Sequence, residues 1–97
     1  MIFNYSILQA REDVSYKFSP WSGAKEKFSG GDYDTVYNGA IVLEDFVPED
    51  EVLEMLYSMY NRDVKPKGYK GHSLSVSDVV KLNDNYYYCD FIDWKKI

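Results

Sequence analysis

One cysteine, one histidine and three prolines are all that this 97-residue sequence holds of those residue types, and each scarcity excludes something. A lone Cys89 cannot close an internal disulfide, so the expected compartment is the reducing cytoplasm. With a single His and a single Cys there is no ligand set of zinc spacing, and no cofactor is expected. No apolar run reaches membrane length, which argues against a spanning helix or a secretory leader. Bases are also short, with 11 Lys and Arg against 16 Asp and Glu and a formal net charge of -5. Phosphate neutralisation is done by Lys and Arg, so direct nucleic-acid binding is disfavoured and a partner with a basic surface is favoured.

Apolar side chains are plentiful. They make up 45% of the sequence, and aromatics 18%, including ten tyrosines. The length fits one domain over residues 1–97, and folding at this size hides only about 60 to 65% of the unfolded surface. The core must therefore lean on aromatic packing. Tyrosine buries a flat body and keeps a hydroxyl for a wet rim, so ten of them read either as sheet cover or in part as interface.

Phe3, Tyr5 and Ile7 alternate on one face of a strand, as do Val14, Tyr16 and Phe18, and the pair predicts an antiparallel hairpin. Residues 19–34 mix Pro20, Gly23, Gly30 and Gly31 with aromatics and predict an irregular stretch or a short helix over 24–28. A third strand is expected over 35–43, with Gly39 a bulge or a close contact. Pro48 followed by Glu49, Asp50 and Glu51 starts a helix to about residue 61, because proline suits the first turn and acids complement the macrodipole. Val52, Leu56, Met59 and Tyr60 form its apolar stripe, with Glu54 and Ser58 outward. After a serine-rich turn, residues 78–82 and 86–94 predict a second hairpin about Asn83, Asp84 and Asn85. The expected class is α+β: an antiparallel sheet of about five strands packed by one main amphipathic helix over 48–61.

Few residues carry candidate chemistry. Cys89 in a strand reads as a small buried hydrophobe, and a Cys–His nucleophile would need an orienting group beside it. His72 with Lys70 and Asp78 is the only set for general acid–base cleavage of RNA; the same residues also read as a turn in which side chains cap backbone groups. Asp90 and Asp93, three apart in a strand-like region, are expected to face opposite sides and hold no metal. Charge is laid out unevenly. Glu44, Asp45, Glu49, Asp50, Glu51 and Glu54 follow one another with no intervening base, then Arg62, Lys65, Lys67 and Lys70 come together. The acids read as a patch for a basic partner or as a solvated helix start. The basic block, interleaved only with Tyr69, is a weak phosphate grip.

The run Gly71-His72-Ser73-Leu74-Ser75-Val76-Ser77-Asp78-Val79-Val80 resembles the signature of the YodL-like domain, found in proteins of conjugative transposons, plasmids and phages of Firmicutes. The likeness extends to a Tyr-containing first strand (Tyr5 to Leu8), a Phe-Pro-like step (Phe18, Pro20), a Tyr-x-x-Val-Tyr stretch (Tyr33, Val36, Tyr37), a helix of Leu-Glu-x-x-Tyr type, and Pro66 and Tyr69 before the motif. Where relatives tend to carry Tyr-x-Asp-Ser-x-Gly-Phe, this sequence has Tyr88-Cys89-Asp90-Phe91-Ile92-Asp93-Trp94. The resemblance implies a small anti-defence factor that inhibits a nuclease such as the type II CRISPR enzyme Cas9, without catalysis of its own. A factor that cleaves guide RNA and a regulatory module of a conjugative element are the alternatives. Gly71, His72, Ser73, Ser75, Ser77 and Asp78 are expected to order a turn that launches a strand, and the acids from Glu44 to Glu54 to make the contact.

Overall fold

In the computed structural model, which describes residues 1–97, the alternation of Phe3, Tyr5 and Ile7 becomes the buried side of a central strand, β1 (Ile2–Ala10). A short helix α1 (Trp21–Ala24) and a 3-10 turn (Gly30–Asp32) lead into β2 (Tyr33–Val42). Helix α2 (Glu49–Met59) follows, then β3 (Val79–Leu82), β4 (Asn85–Cys89) and β5 (Trp94–Lys96). The strands stand in the order β2-β1-β3-β4-β5, each antiparallel to its neighbours. The expected α+β class, five strands and one main helix hold, but one of the five strands is a different segment.

Residues 14–18 do not pair with β1. The chain turns there instead, with Val14 N–H on Arg11 O, Lys17 N–H on Val14 O, and Phe18 in the left-handed region at φ 67°. The reason is competition for edges. One edge of β1 pairs with β2 along its whole length, from Ile2↔Val42 to Ala10↔Tyr33, and the other with β3. Tyr16 still reaches the interior, where it packs on Phe28 and Tyr33. The segment after β4 differs as well. Residues 90–93 form a tight turn closed by Asp90 N–H on Asp93 O at 2.9 Å, so Asp90 and Asp93 do not alternate across a strand. The short helix falls earlier than residues 24–28, at Trp21–Ala24.

The two faces of the sheet are covered unequally. Phe3, Tyr5, Ile7, Val80 and Leu82 meet Val52, Leu53, Leu56 and Tyr60 of the α2 segment, with Leu74 closing the end. Leu53, outside the expected stripe, is as buried as the stripe itself, whereas Met59 is only partly buried. Pro48 is the N-cap rather than a helical residue, and Asn61 Nδ2 caps the other end by donating to Tyr57 O at 2.7 Å and Leu74 O at 3.1 Å. On the opposite face Ala10, Tyr33, Val79 and Tyr88 are covered by Ala24, Trp21 and Phe28. Only Tyr57 and Tyr86 of the tyrosines are exposed, so nearly all serve packing.

Gly39 is a site of close approach, and the β-bulge lies elsewhere, opposite Ile7 and Leu8. A Cβ at Gly39 would stand 2.5 Å from Tyr5 Oη, and that hydroxyl bonds Tyr60 Oη at 2.5 Å. Gly39→Ala therefore displaces Tyr5 and should destabilise the fold by ~1–3 kcal/mol in a chemical melt. Gly30→Ala, with no heavy atom within 4 Å of the new Cβ, should change stability little, and equal losses for the two would contradict the packing account.

Candidate functional site

Two regions gather polar side chains. The first is the loop of residues 71–78, which passes over the end of β1. Phe3, Tyr5 and Ile7 occupy the buried register positions of β1, and Gln9 is the next on that side. Its amide needs partners there, and the loop supplies them. Gln9 Oε1 accepts His72 N–H at 3.1 Å, while Nε2 donates to His72 O at 2.9 Å and Asp78 Oδ2 at 3.0 Å. A side chain at position 71 would occupy the volume of the Gln9 amide, which explains the glycine before His72.

Asp78 is 1% exposed and anchors the loop. Oδ2 also accepts Ser75 N–H at 2.8 Å, and the main-chain oxygen accepts Cys89 N–H at 2.8 Å, which fixes the start of β3 against β4. His72 Nδ1 lies 2.6 Å from Ser73 O, so that nitrogen carries the proton and Nε2 is left as an acceptor in the neutral ring. Nε2 faces Asp78 Oδ1 at 4.0 Å, and neither atom has another protein partner. Burial pushes the Asp78 carboxyl up to about 7, against the opposing pull of Ser75, Gln9 and Lys17.

Ser77, at φ 80°, is held by three bonds: its N–H to Cys89 O, its Oγ accepting Phe18 N–H at 2.8 Å, and its carbonyl accepting Tyr33 Oη–H at 2.6 Å. Ser75 Oγ donates to Ser73 O at 2.9 Å. Tyr69, the one aromatic within the basic block, is engaged inside the protein, stacked on Tyr60 with ring centroids 5.1 Å apart and donating to His72 O at 2.7 Å. The block itself is partly self-engaged, with Lys65 Nζ donating to Arg62 O. Cys89 is buried, and burial pushes its thiol up to about 12, so little thiolate exists at neutral pH.

The second region is a groove of about 620 Å³ between α2 and β5. Asp50, Glu51, Glu54 and Asp93 line it beside Tyr87 and Trp94, and no basic side chain does. Trp94 Nε1 donates to Glu54 Oε2 at 3.0 Å and ties β5 to the helix. Of the acids expected to act together, Glu44 and Asp45 lie in the exposed loop before α2 and outside this groove. Glu49 has a different part. Its carboxylate accepts Tyr87 Oη–H at 2.5 Å and Asn85 Nδ2–H at 3.0 Å, and the Tyr87 bond foremost holds its pKa below the usual range. It clamps the helix start to β4. Asp93 and Trp94 were missed because the turn that carries them reads as continuous strand; the signal was a charge-flanked apolar pair interrupting the alternation.

Among known proteins, a family model described as the YodL-like domain matches residues 4–97, and the chain belongs to that family. No curated protein and no solved structure matches it.

The raised Asp78 pKa sets a direction for stability against pH. Its folded value of about 7 lies above the unfolded value of about 3.9, so the folded state binds the proton more tightly. The stabilisation is complete below about pH 4, declines as the pH rises, and is gone above about pH 7. Asp78→Asn keeps an acceptor for Ser75 and Gln9 and carries no group that ionises. Denaturant melts of the wild type should weaken from pH 5 to 8 while the variant's stay nearly flat; parallel profiles would contradict the assignment.

Proposed function

We propose that this YodL-like protein is an anti-defence factor of a mobile element that binds and inhibits a host nuclease, a type II CRISPR Cas9 or its assembly with guide RNA. The observation that carries this reading is the groove between α2 and β5, a concave acidic surface without a base and with Trp94 in its wall. A nuclease of that kind holds its guide–target heteroduplex in a positively charged channel, and a surface of opposite sign is steered to it and competes for it. No step of such inhibition requires catalysis or a cofactor. Binding to a basic protein is also the use to which a net charge of -5 is suited.

A second reading has its own observation. Gln9, Lys70, Gly71 and His72 line another groove of about 460 Å³, which Arg11 and Lys17 border. In that reading the protein cleaves guide RNA, and His72 would have to turn its ring outward to exchange a proton with the ribose hydroxyl or the leaving oxygen, since Nδ1 lies on Ser73 O and Nε2 is buried against Asp78. Asp78 is too deeply buried to touch a substrate and would act on His72 alone.

Incubation with a panel of type II nucleases, alone and with guide RNA, separates the readings. Inhibition is expected at stoichiometric protein with the guide intact, and Asp50→Lys with Glu51→Lys should weaken it at least tenfold. Glu49 is left unchanged because its role is structural. Shortened guide at substoichiometric protein, abolished by His72→Ala, would favour the second reading. Failure to bind any nuclease of the panel would overturn the first.

A further inference from the structure

The turn between β4 and β5 lifts Phe91 and Ile92 into solvent, 68% and 95% exposed. The turn is well held. Asp90 N–H donates to Asp93 O, and Asp90 Oδ1 accepts Phe91 N–H at 2.9 Å and, across the fold, Trp21 N–H at 3.2 Å. Neither apolar side chain contributes to the two core clusters, so packing gives no reason for them. Single exposed apolar residues are ordinary, but these two have company. Met55 and Tyr57 are exposed on α2, and Trp94 stands between. The groove beside Met55 and a smaller hollow of about 140 Å³ beside Phe91 and Ile92 adjoin, since both are walled by Glu54, Asp93 and Trp94.

An apolar strip thus runs along an acidic border. Asp50, Glu51, Glu54, Asp90 and Asp93 surround it, and no Lys or Arg lines either hollow, although Lys95 and Lys96 are exposed farther along β5. We infer that this strip docks a basic amphipathic α-helix of a partner protein, its apolar side chains on Phe91, Ile92, Met55 and Trp94 and its Lys or Arg side chains on the carboxylates. The inference rests on reading the chain as a binding protein and adds the chemistry of what it binds.

Shape and charge select this occupant over others. Along α2 the groove is walled from Asp50 to Ser58, roughly 12 Å at 1.5 Å per residue, which suits two turns of a helix laid alongside. An extended peptide would need a sheet edge, and the edge here is the three-residue β5. A second copy docked face to face would set these carboxylates against their own kind, and nucleic acid would do the same with phosphates.

The test uses an 18-residue synthetic helix of leucine and lysine with a single apolar face, titrated against the full chain by calorimetry at low salt. A tight one-to-one complex is expected. Phe91→Ser with Ile92→Ser should weaken it at least tenfold, Asp50→Lys with Glu51→Lys likewise, and Phe46→Ser, at an equally exposed residue in the loop before α2, should leave it unchanged. Circular dichroism melts confirm that these surface variants stay folded. Equal affinity for a sequence-scrambled peptide of the same composition, no loss in the Phe91 and Ile92 variant, or no binding by the wild type would overturn the inference. The anti-defence reading fails separately. A chain that binds the helix and inhibits no nuclease keeps this surface and loses that function, and undiminished nuclease inhibition by the Phe91 and Ile92 variant does the reverse.

Discussion

A buried carboxylate holds this fold together where its pieces are least regular. Asp78 joins the loop of residues 71–78 to β1 through Gln9, caps Ser75, and hands its own carbonyl to Cys89 so that β3 meets β4 in register. Burying a charge is costly unless its lone pairs are satisfied, and the two satisfied directions here come from two separate parts of the chain. The other oxygen, Oδ1, has no hydrogen-bond partner, and His72 Nε2 faces it from 4.0 Å. That constraint explains a run of small polar residues next to a sheet. Gly71 makes room for the Gln9 amide, Ser77 accepts a left-handed backbone to bring Phe18 and Tyr33 in, and His72 orients itself on Ser73.

The same loop is a poor candidate for contact. Its side chains are turned inward on Gln9, Asp78 and the loop's own backbone, and its aromatic neighbour Tyr69 is stacked on Tyr60. The face between α2 and β5 is different. Between α2 and β5 the carboxylates of Asp50, Glu51 and Asp93 accept no hydrogen bond from the chain's side chains, and Phe91 and Ile92 lie beside them in water. Glu49, the neighbour of Asp50 in sequence, is bound to Tyr87 and Asn85 and stabilises the α2–β4 junction. The family signature and the surface available to a partner are therefore different parts of this protein that meet at Val76, one holding the sheet and the other left open.

Much of this was legible in the sequence and some was not, for identifiable reasons. Local periodicity found β1, β2, α2 and the β3–β4 hairpin because each has a strong pattern of its own. It misplaced residues 14–18, whose alternation is as good as that of β1, because strand pairing is decided by competition for an edge and β2 offers a far longer ladder. It read residues 86–94 as one strand because Cys89, Phe91 and Ile92 are all apolar, and only Asp90 and Asp93 mark the turn. Gln9 was the readable miss. A glutamine continuing the buried register of Phe3, Tyr5 and Ile7 announces a polar partner arriving from elsewhere in the chain. The acid-rich segment could be seen but not divided, since nothing local separates clamped Glu49 from exposed Asp50 and Glu51.

The central claim is that the protein works by docking its α2–β5 face on a basic partner. Hydrogen exchange on the complex with a type II nuclease and its guide RNA tests that most directly. Slowed exchange over residues 50–58 and 90–96, with residues 69–75 unchanged, is the predicted result. Slowed exchange confined to residues 69–75, or none over α2 and β5, would contradict it.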